Sequence, residues 1–230
     1  MEASQASPAE SWCPGQADGS TPGRSSLGAR MTTLVSMLAN LSGPVVVLDL
    51  EFTAWEGSLA TGWSRPGEFR EIVQIGAVKL GTDLQELACF NRLVRPVRNP
   101  QLSDYFIALT GITQQRLDAE GAGYGAVLAA FMAFVGADTL AVLSNGLDGV
   151  LIAENCEMTG VPCPIPADRF INLRRPLAEA LNVDITEVIS SRLLGLIGLS
   201  MEHREHDALD DARAIAETVR HLLGNTRSGG

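Results

Sequence analysis

Val45 to Leu50 is an apolar run interrupted by one acid, Asp49. A run of this kind reads as a strand buried on both faces, which requires a sheet with layers on each side. Asp49 and Glu51 stand two positions apart at its end, so their side chains leave the strand on one face. Two like charges placed there repel each other and lose solvation. A strand end that reaches water tolerates them, and so does one that holds a cation between them. For this pair alone, both readings stay open.

The segments that follow define the sheet. Glu71 to Leu80 predicts a second strand, Gly81-Thr82-Asp83 a turn, and Leu87 to Val94 a third strand closed by Pro96 and Pro100. Gly57 to Gly67 reads as a loop, and Thr33 to Leu41 as a short helix. Ser103 caps a predicted helix to Leu109. Tyr124, Val127, Leu128, Phe131, Phe134 and Val135 then recur at helical spacing. Thr139–Leu143 and Phe170–Asn172 are short strands, and Asp148–Thr159 is a helix stopped by Gly160 and Pro162. Short helices are expected over Arg175–Leu181 and Thr186–Leu196. A last helix buries Ala208, Ala212, Ile215, Ala216, Val219 and Leu223. A three-strand antiparallel meander followed by alternating helices and strands implies an α/β fold with helices packed on a mixed sheet.

Residues 1–31 are rich in Ser, Gly, Ala and Pro and are expected to be a disordered extension. Residues 32–224 form the expected domain, and 225–230 a frayed tail. No apolar run reaches the roughly 18 residues of a membrane span, and no basic region precedes an apolar stretch as in a secretory signal. The expectation is a soluble cytoplasmic protein with its four cysteines as free thiols. The net charge of −10 argues against binding nucleic acid through a broad basic face. It leaves room for an enzyme that grips a few nucleotides through bound cations.

Two more places carry unusual acids. Ser144-Asn145-Gly146-Leu147-Asp148 follows a short strand and opens a helix, where an aspartate is also an ordinary first-turn residue. His206-Asp207-Ala208-Leu209-Asp210-Asp211-Ala212 opens the last helix. Asp207 serves there as an N-cap, and His206 alone reads more readily as a surface imidazole. Asp211 shares the turn of Ala208, Ala212 and Ile215 that should face the sheet. Together, Asp49, Glu51, Asp148 and Asp211 would offer oxygen ligands to hard cations, Mg²⁺ or Mn²⁺. Two such ions clamp a phosphodiester. A histidine with an ordinary pKa of about 6.5 suits the base that accepts a proton from water; activity should then fall in acid.

With these residues in place, the chain resembles the DEDDh-type 3′–5′ exonucleases of the DnaQ-like superfamily from about Val45 to Leu223. Val46–Thr53 (VVLDLEFT) is similar to the first motif, Arg70–Val78 to the strand after it, and Leu109-Thr110-Gly111-Ile112-Thr113 to a segment that precedes the second motif. Ser144–Asp148 and His206-x-Ala208-x-x-Asp211 match the second and third motifs. Trp55 and the Arg70–Val78 strand resemble the enhanced-RNAi and KapD-like subgroup, and Asp49–Thr53 is also similar to oligoribonuclease.

The resemblance implies an RNase H-like fold and release of nucleoside 5′-monophosphates from the 3′ end of single-stranded or short RNA or DNA. It implies that Asp49, Glu51, Asp148 and Asp211 bind two metal ions, with His206 as general base. Phe52, Thr53, Leu109 and Thr110 would touch the terminal nucleotide, with core packing as their alternative role. Asp210 rivals Asp211, and the histidine-to-aspartate spacing favours Asp211. Gly146-Leu147 stands where many relatives carry aromatic or more polar residues, which puts substrate contacts there in doubt. Arg65, Arg70, Arg169, Arg174 and Arg175 are the local candidates for holding a strand, each also readable as a solvated surface charge. The alternatives are a nuclease for very short oligonucleotides and an inactive RNase H-like binding module.

Overall fold

The computed structural model describes residue 34, residues 36–38, 43–200 and 206–227. The expected extension over 1–31 lies outside the described residues. Of the Thr33–Leu41 segment, residue 34 and residues 36–38 are helical, with Leu34 and Leu38 buried.

Among the described residues, six strands form one sheet: β1 (Val45–Phe52), β2 (Ile72–Leu80), β3 (Glu86–Arg95), β4 (Ala122–Gly123), β5 (Ala141–Ser144) and β6 (Phe170–Asn172). Their order is β4-β3-β2-β1-β5-β6. β1 pairs antiparallel with β2 and parallel with β5, and β5 pairs parallel with β6. The sheet therefore joins an antiparallel meander to parallel strands, as the apolar runs imply. Besides a short helical turn at Ser58–Thr61, the helices among the described residues are numbered α1 (Asp104–Thr110), α2 (Gln114–Glu120), α3 (Tyr124–Val135), α4 (Asp148–Thr159), α5 (Arg174–Leu181), α6 (Leu193–Leu196) and α7 (Ala208–Arg227).

The pleat of β1 sorts its side chains between two cores. Val45 and Val47 pack with Val78 and Leu80 against Ala212, Ile215, Ala216 and Val219 of α7. Val46, Leu48 and Leu50 pack on the opposite side with Val127, Leu128 and Phe131 of α3 and Leu151 and Ile152 of α4. Each fully buried aliphatic side chain contributes roughly 1.5–3 kcal/mol. The same alternation sends Asp49 and Glu51 to the α7 face. In β2 it sends Gly76 and Gln74 there, the register partners of Asp49 and Glu51. A third cluster of Val73, Leu93, Phe106, Ile112 and Leu117 seats α1 and α2 beside the meander.

The caps follow the expected chemistry at α1, where Ser103 Oγ accepts from Phe106 N at 3.0 Å and Gly111 closes the helix with φ 63°. Four segments depart from the sequence reading, one of them the short strand β4, which that reading leaves unassigned. The loop over Gly57–Gly67 holds a helical turn at Ser58–Thr61. Helix α2 has no counterpart in that reading, because Leu117 is the one buried residue in its polar run; Thr113 supplies its cap. The expected helix over Thr186–Leu196 splits into 3-10 turns at Ile185–Glu187 and Ser190–Arg192 before α6. Asp184 caps the first turn, and Ile189 takes an extended conformation, which breaks the helix between them. At the C-terminus, Leu222 is the more deeply buried neighbour of the expected Leu223, and α7 runs to Arg227. Among the described residues, no helix is long and apolar enough to cross a membrane.

Candidate active site

The C-terminal end of β1 opens into a cleft of about 350 Å³. Asp49, Glu51, Asp211 and His206 line one part of it; Phe52, Trp55, Trp63, Tyr105 and Leu109 line the apolar part. Three elements deliver the polar groups. β1 carries Asp49 and Glu51, α7 carries Asp211, and His206 sits two residues before α7. His206 takes a left-handed conformation, φ 59°, a region in which histidine is enriched. That turn folds its ring back over the first turn of the helix: ligand atoms of Glu51, His206 and Asp211 lie within 4.8 Å of one another.

Gly76 makes this convergence possible. A Cβ built there would stand 2.1 Å from Ala208 C and from Leu209 N. The backbone of α7 therefore rests directly on the strand position opposite Asp49, and no side chain fits between them. Asp211 is buried and lines the cleft. Asp210, its rival, faces Arg213 at 3.8 Å, and Arg213 in turn pairs with Glu86.

Asp148 is buried at the start of α4. Burial pushes its pKa up to about 6, opposed by a hydrogen bond from Ser144. Glu51 is raised to about 8, first by burial and then by the charges of Asp211, Asp207 and Asp148. Asp49 is raised well above the carboxylate range by burial and by Asp148, Asp211 and Glu51; a hydrogen bond from Ser190 Oγ at 3.1 Å works against this. Asp148 thus belongs to the same electrostatic cluster although it is not among the residues that line the cleft.

Four carboxylates gather around the end of β1, and the groups that shift Asp49, Glu51 and Asp148 include no cationic side chain; the set fits hard divalent cations. The electrostatics carry a thermodynamic signature. A carboxyl whose pKa is raised on folding keeps a proton that the unfolded chain has released, so its contribution is present below the unfolded pKa and is lost as pH rises through the folded value. Without metal, thermal stability should fall as pH rises from about 5 to 8, the window set by Asp148 and Glu51. Millimolar divalent cation at pH 8 should restore it, by calorimetry; a metal-independent, flat profile would contradict the cluster.

The structure separates the four residues expected at the terminal nucleotide. Phe52 and Leu109 line the cleft, and the Phe52 ring lies 5.2 Å from Trp63. The two threonines are committed to the backbone. Thr53 Oγ1 donates to Phe69 O and accepts from Glu71 N at 3.0 Å. Thr110 Oγ1 donates to Phe106 O at 2.9 Å and accepts from Ile112 N at 3.0 Å. Their hydroxyls hold the cleft walls and do not face into it.

The sequence reading does not single out Trp63, Tyr105 or Ser190. Trp63 has φ 57°, and its indole N–H donates to Thr53 O at 2.8 Å, so the Gly57–Gly67 segment folds back onto the site. Ser190 reaches Asp49 because the helix breaks at Ile189. Tyr105 sits one turn before Leu109 on α1, a legible spacing that places both on one helix face.

Comparison with known proteins agrees with this geometry. The family model for exonucleases matches residues 46–219. The mouse (Mus musculus) 3′-5′ exoribonuclease 1 is 28% identical over 189 residues, covering 78% of this chain and 52% of the relative. The chain thus spans about half the length of that relative. The nuclease domain of 3′hExo, a DEDDh family member bound to rAMP, superposes with a TM-score of 0.69 at 26% identity, covering 80% of this chain and 92% of that one. A 3′-exonuclease solved for 3′-end-specific recognition of the histone mRNA stem-loop gives 0.68 at 27% identity, with 80% and 82% covered. The mixed sheet is the RNase H-like sheet of DEDDh nucleases, a divalent-metal-dependent family, and Glu51, His206 and Asp211 have the spacing of a group able to hold such an ion. The chain belongs to the exonuclease family.

Proposed function

We propose that this protein is a metal-dependent 3′–5′ exonuclease that releases nucleoside 5′-monophosphates from RNA ends. The observation that carries the reading is one cleft in which an acid cluster and a histidine adjoin an aromatic and aliphatic wall. The acids suit a phosphodiester and the wall suits a base. At about 350 Å³, the cleft is near the lower end of the roughly 300–1,000 Å³ of small-ligand pockets. That size suits one terminal nucleotide rather than a duplex.

Bound divalent cations, two Mg²⁺ or Mn²⁺ in this proposal, would supply an activated water and stabilise the leaving oxygen. Asp49, Glu51, Asp148 and Asp211 would hold them. His206 Nδ1 or Nε2 accepts a proton from the attacking water. Phe52 and Leu109 hold the terminal base and exclude water from it. RNA is favoured over DNA because the curated relative is an exoribonuclease and a structural relative was solved with rAMP. Three cysteines, Cys89, Cys156 and Cys163, are free thiols, which supports the proposal of a reducing, cytoplasmic site of action.

One observation favours a second reading, a preference for very short oligonucleotides. Arg70 pairs with Glu154, Arg65 with Glu68, Arg169 with Thr139 O and Arg174 with Ile185 O. Among the basic residues expected to hold a strand, these four are engaged internally. A 5′-labelled length series from two to thirty nucleotides, in RNA and in DNA, tests both readings. The exonuclease proposal predicts stepwise shortening of RNA at all lengths and a block by a 3′-phosphate. A rate that collapses above about five nucleotides would favour the second reading, and faster DNA than RNA degradation would contradict the RNA assignment.

A further inference from the structure

Gln74 is fully buried in β2, opposite Glu51. Its amide nitrogen donates to Asn91 Oδ1 at 2.9 Å and to Asp207 Oδ2 at 3.0 Å; its amide oxygen accepts from Ala208 N at 3.1 Å. The other oxygen of Asp207 caps α7, accepting from Leu209 N at 3.1 Å and Asp210 N at 3.4 Å. One neutral side chain thus ties the sheet to the residues between His206 and Asp211. A carboxamide meets this need because it carries donors and an acceptor on one planar group. A carboxylate would offer acceptors alone and would add a charge between Asp207 and Glu51. The amide cannot simply flip, since its nitrogen would then oppose the Ala208 N–H.

We propose that Gln74 is a positioning residue: through Asp207 and the Ala208 N–H it sets the angle and height at which His206 and Asp211 stand over Glu51 and Asp49. Gly76 lets the helix approach, and Gln74 fixes where along the strand it settles. The inference rests on the exonuclease reading of the cleft.

The donor–acceptor pattern provides the test. In Asp207→Asn, the amide oxygen still caps α7, because asparagine is as good a cap as aspartate. Its nitrogen then opposes the nitrogen of Gln74. In Gln74→Glu, two carboxylates face each other. In the double variant, the carboxylate introduced at position 74 accepts where Gln74 donated. The amide introduced at position 207 donates where Asp207 accepted, so the link is rebuilt with its polarity exchanged.

The full chain in four forms would be assayed for shortening of an RNA oligonucleotide and for Mn²⁺ binding by calorimetry. Each single variant should lose about tenfold or more in kcat with KM within about threefold, and should bind Mn²⁺ about fivefold more weakly; the double variant should return within about threefold of wild type in both. A role in capping alone predicts no loss in Asp207→Asn and no rescue. Single variants that match wild type, or a double variant no better than the worse single, would overturn the proposal. If Gln74→Glu does not fold, Asp207→Asn against the double variant decides the question. If the wild type leaves RNA intact, the exonuclease reading fails, and the Mn²⁺ titrations still decide whether Gln74 positions the site. A wild type that binds no Mn²⁺ overturns both.

Discussion

Asp49→Asn should fold normally and lose RNA cleavage by about 10³-fold or more, about 4 kcal/mol of barrier. Asp49 lies three residues before the end of β1 and feels the charges of Asp148, Asp211 and Glu51 together. The amide keeps the shape, and its oxygen can still accept from Ser190, so the loss reports charge rather than packing. The same substitution should raise the metal-free melting temperature at pH 8 by about 2–4 °C, the shift that roughly 1 kcal/mol produces in a domain of this size, because the cost of keeping a desolvated carboxyl protonated on folding is gone. Initial rates and calorimetry check both parts. Lost activity with gained metal-free stability separates a metal-binding acid from one that merely supports the fold.

Gly76→Val should be the most destabilising single change on the α7 face. Its Cβ would meet Ala208 C and Leu209 N at 2.1 Å, and both are backbone atoms, so no rotamer relieves the contact. The helix must shift, and with it the burial of Ala208, Ala212, Ile215 and Val219, each fully buried. Overpacking of this severity costs about 4 kcal/mol or more, a fall of about 10 °C or more in melting temperature. Gly123→Ala is the control. Beyond its own chain neighbours, no atom lies within 4 Å of a Cβ built there, so its effect should stay within about 0.5 kcal/mol. A Gly76→Val protein that melts like wild type would mean that α7 does not rest on β2 as described.

The parts legible from sequence were those carried by period and spacing. The alternation of β1 shows that Asp49 and Glu51 share a face, and the helical period of α7 shows that Asp211 lies beside Ala208 and Ala212. These local rules, with the order of the motifs, were enough to bring the cluster together. What stayed hidden depends on contacts between distant segments. The hydrogen bond between Gln74 and Asp207 joins residues 133 positions apart, and Gln74 in a strand has no periodic signature of its own. Ser190 reaches Asp49 only because Asp184 caps one turn and Ile189 starts another. Trp63 lies in a stretch rich in Gly and Ser that reads as loop, and its place over the cleft is fixed by a hydrogen bond to Thr53 O. Thr53 and Thr110 show the converse. They occupy motif positions, yet their hydroxyls are spent on the backbone.

The central claim is that the acids at the end of β1 and the start of α7 hold metal for cleavage from a 3′ end. It is tested most directly by incubating the protein with 5′-labelled single-stranded RNA in Mg²⁺, in Mn²⁺ and in chelator. The predicted result is a ladder that shortens one nucleotide at a time from the 3′ end, releases nucleoside 5′-monophosphates and stops in chelator. Undiminished cleavage in chelator, or internal cuts without a ladder, would contradict it.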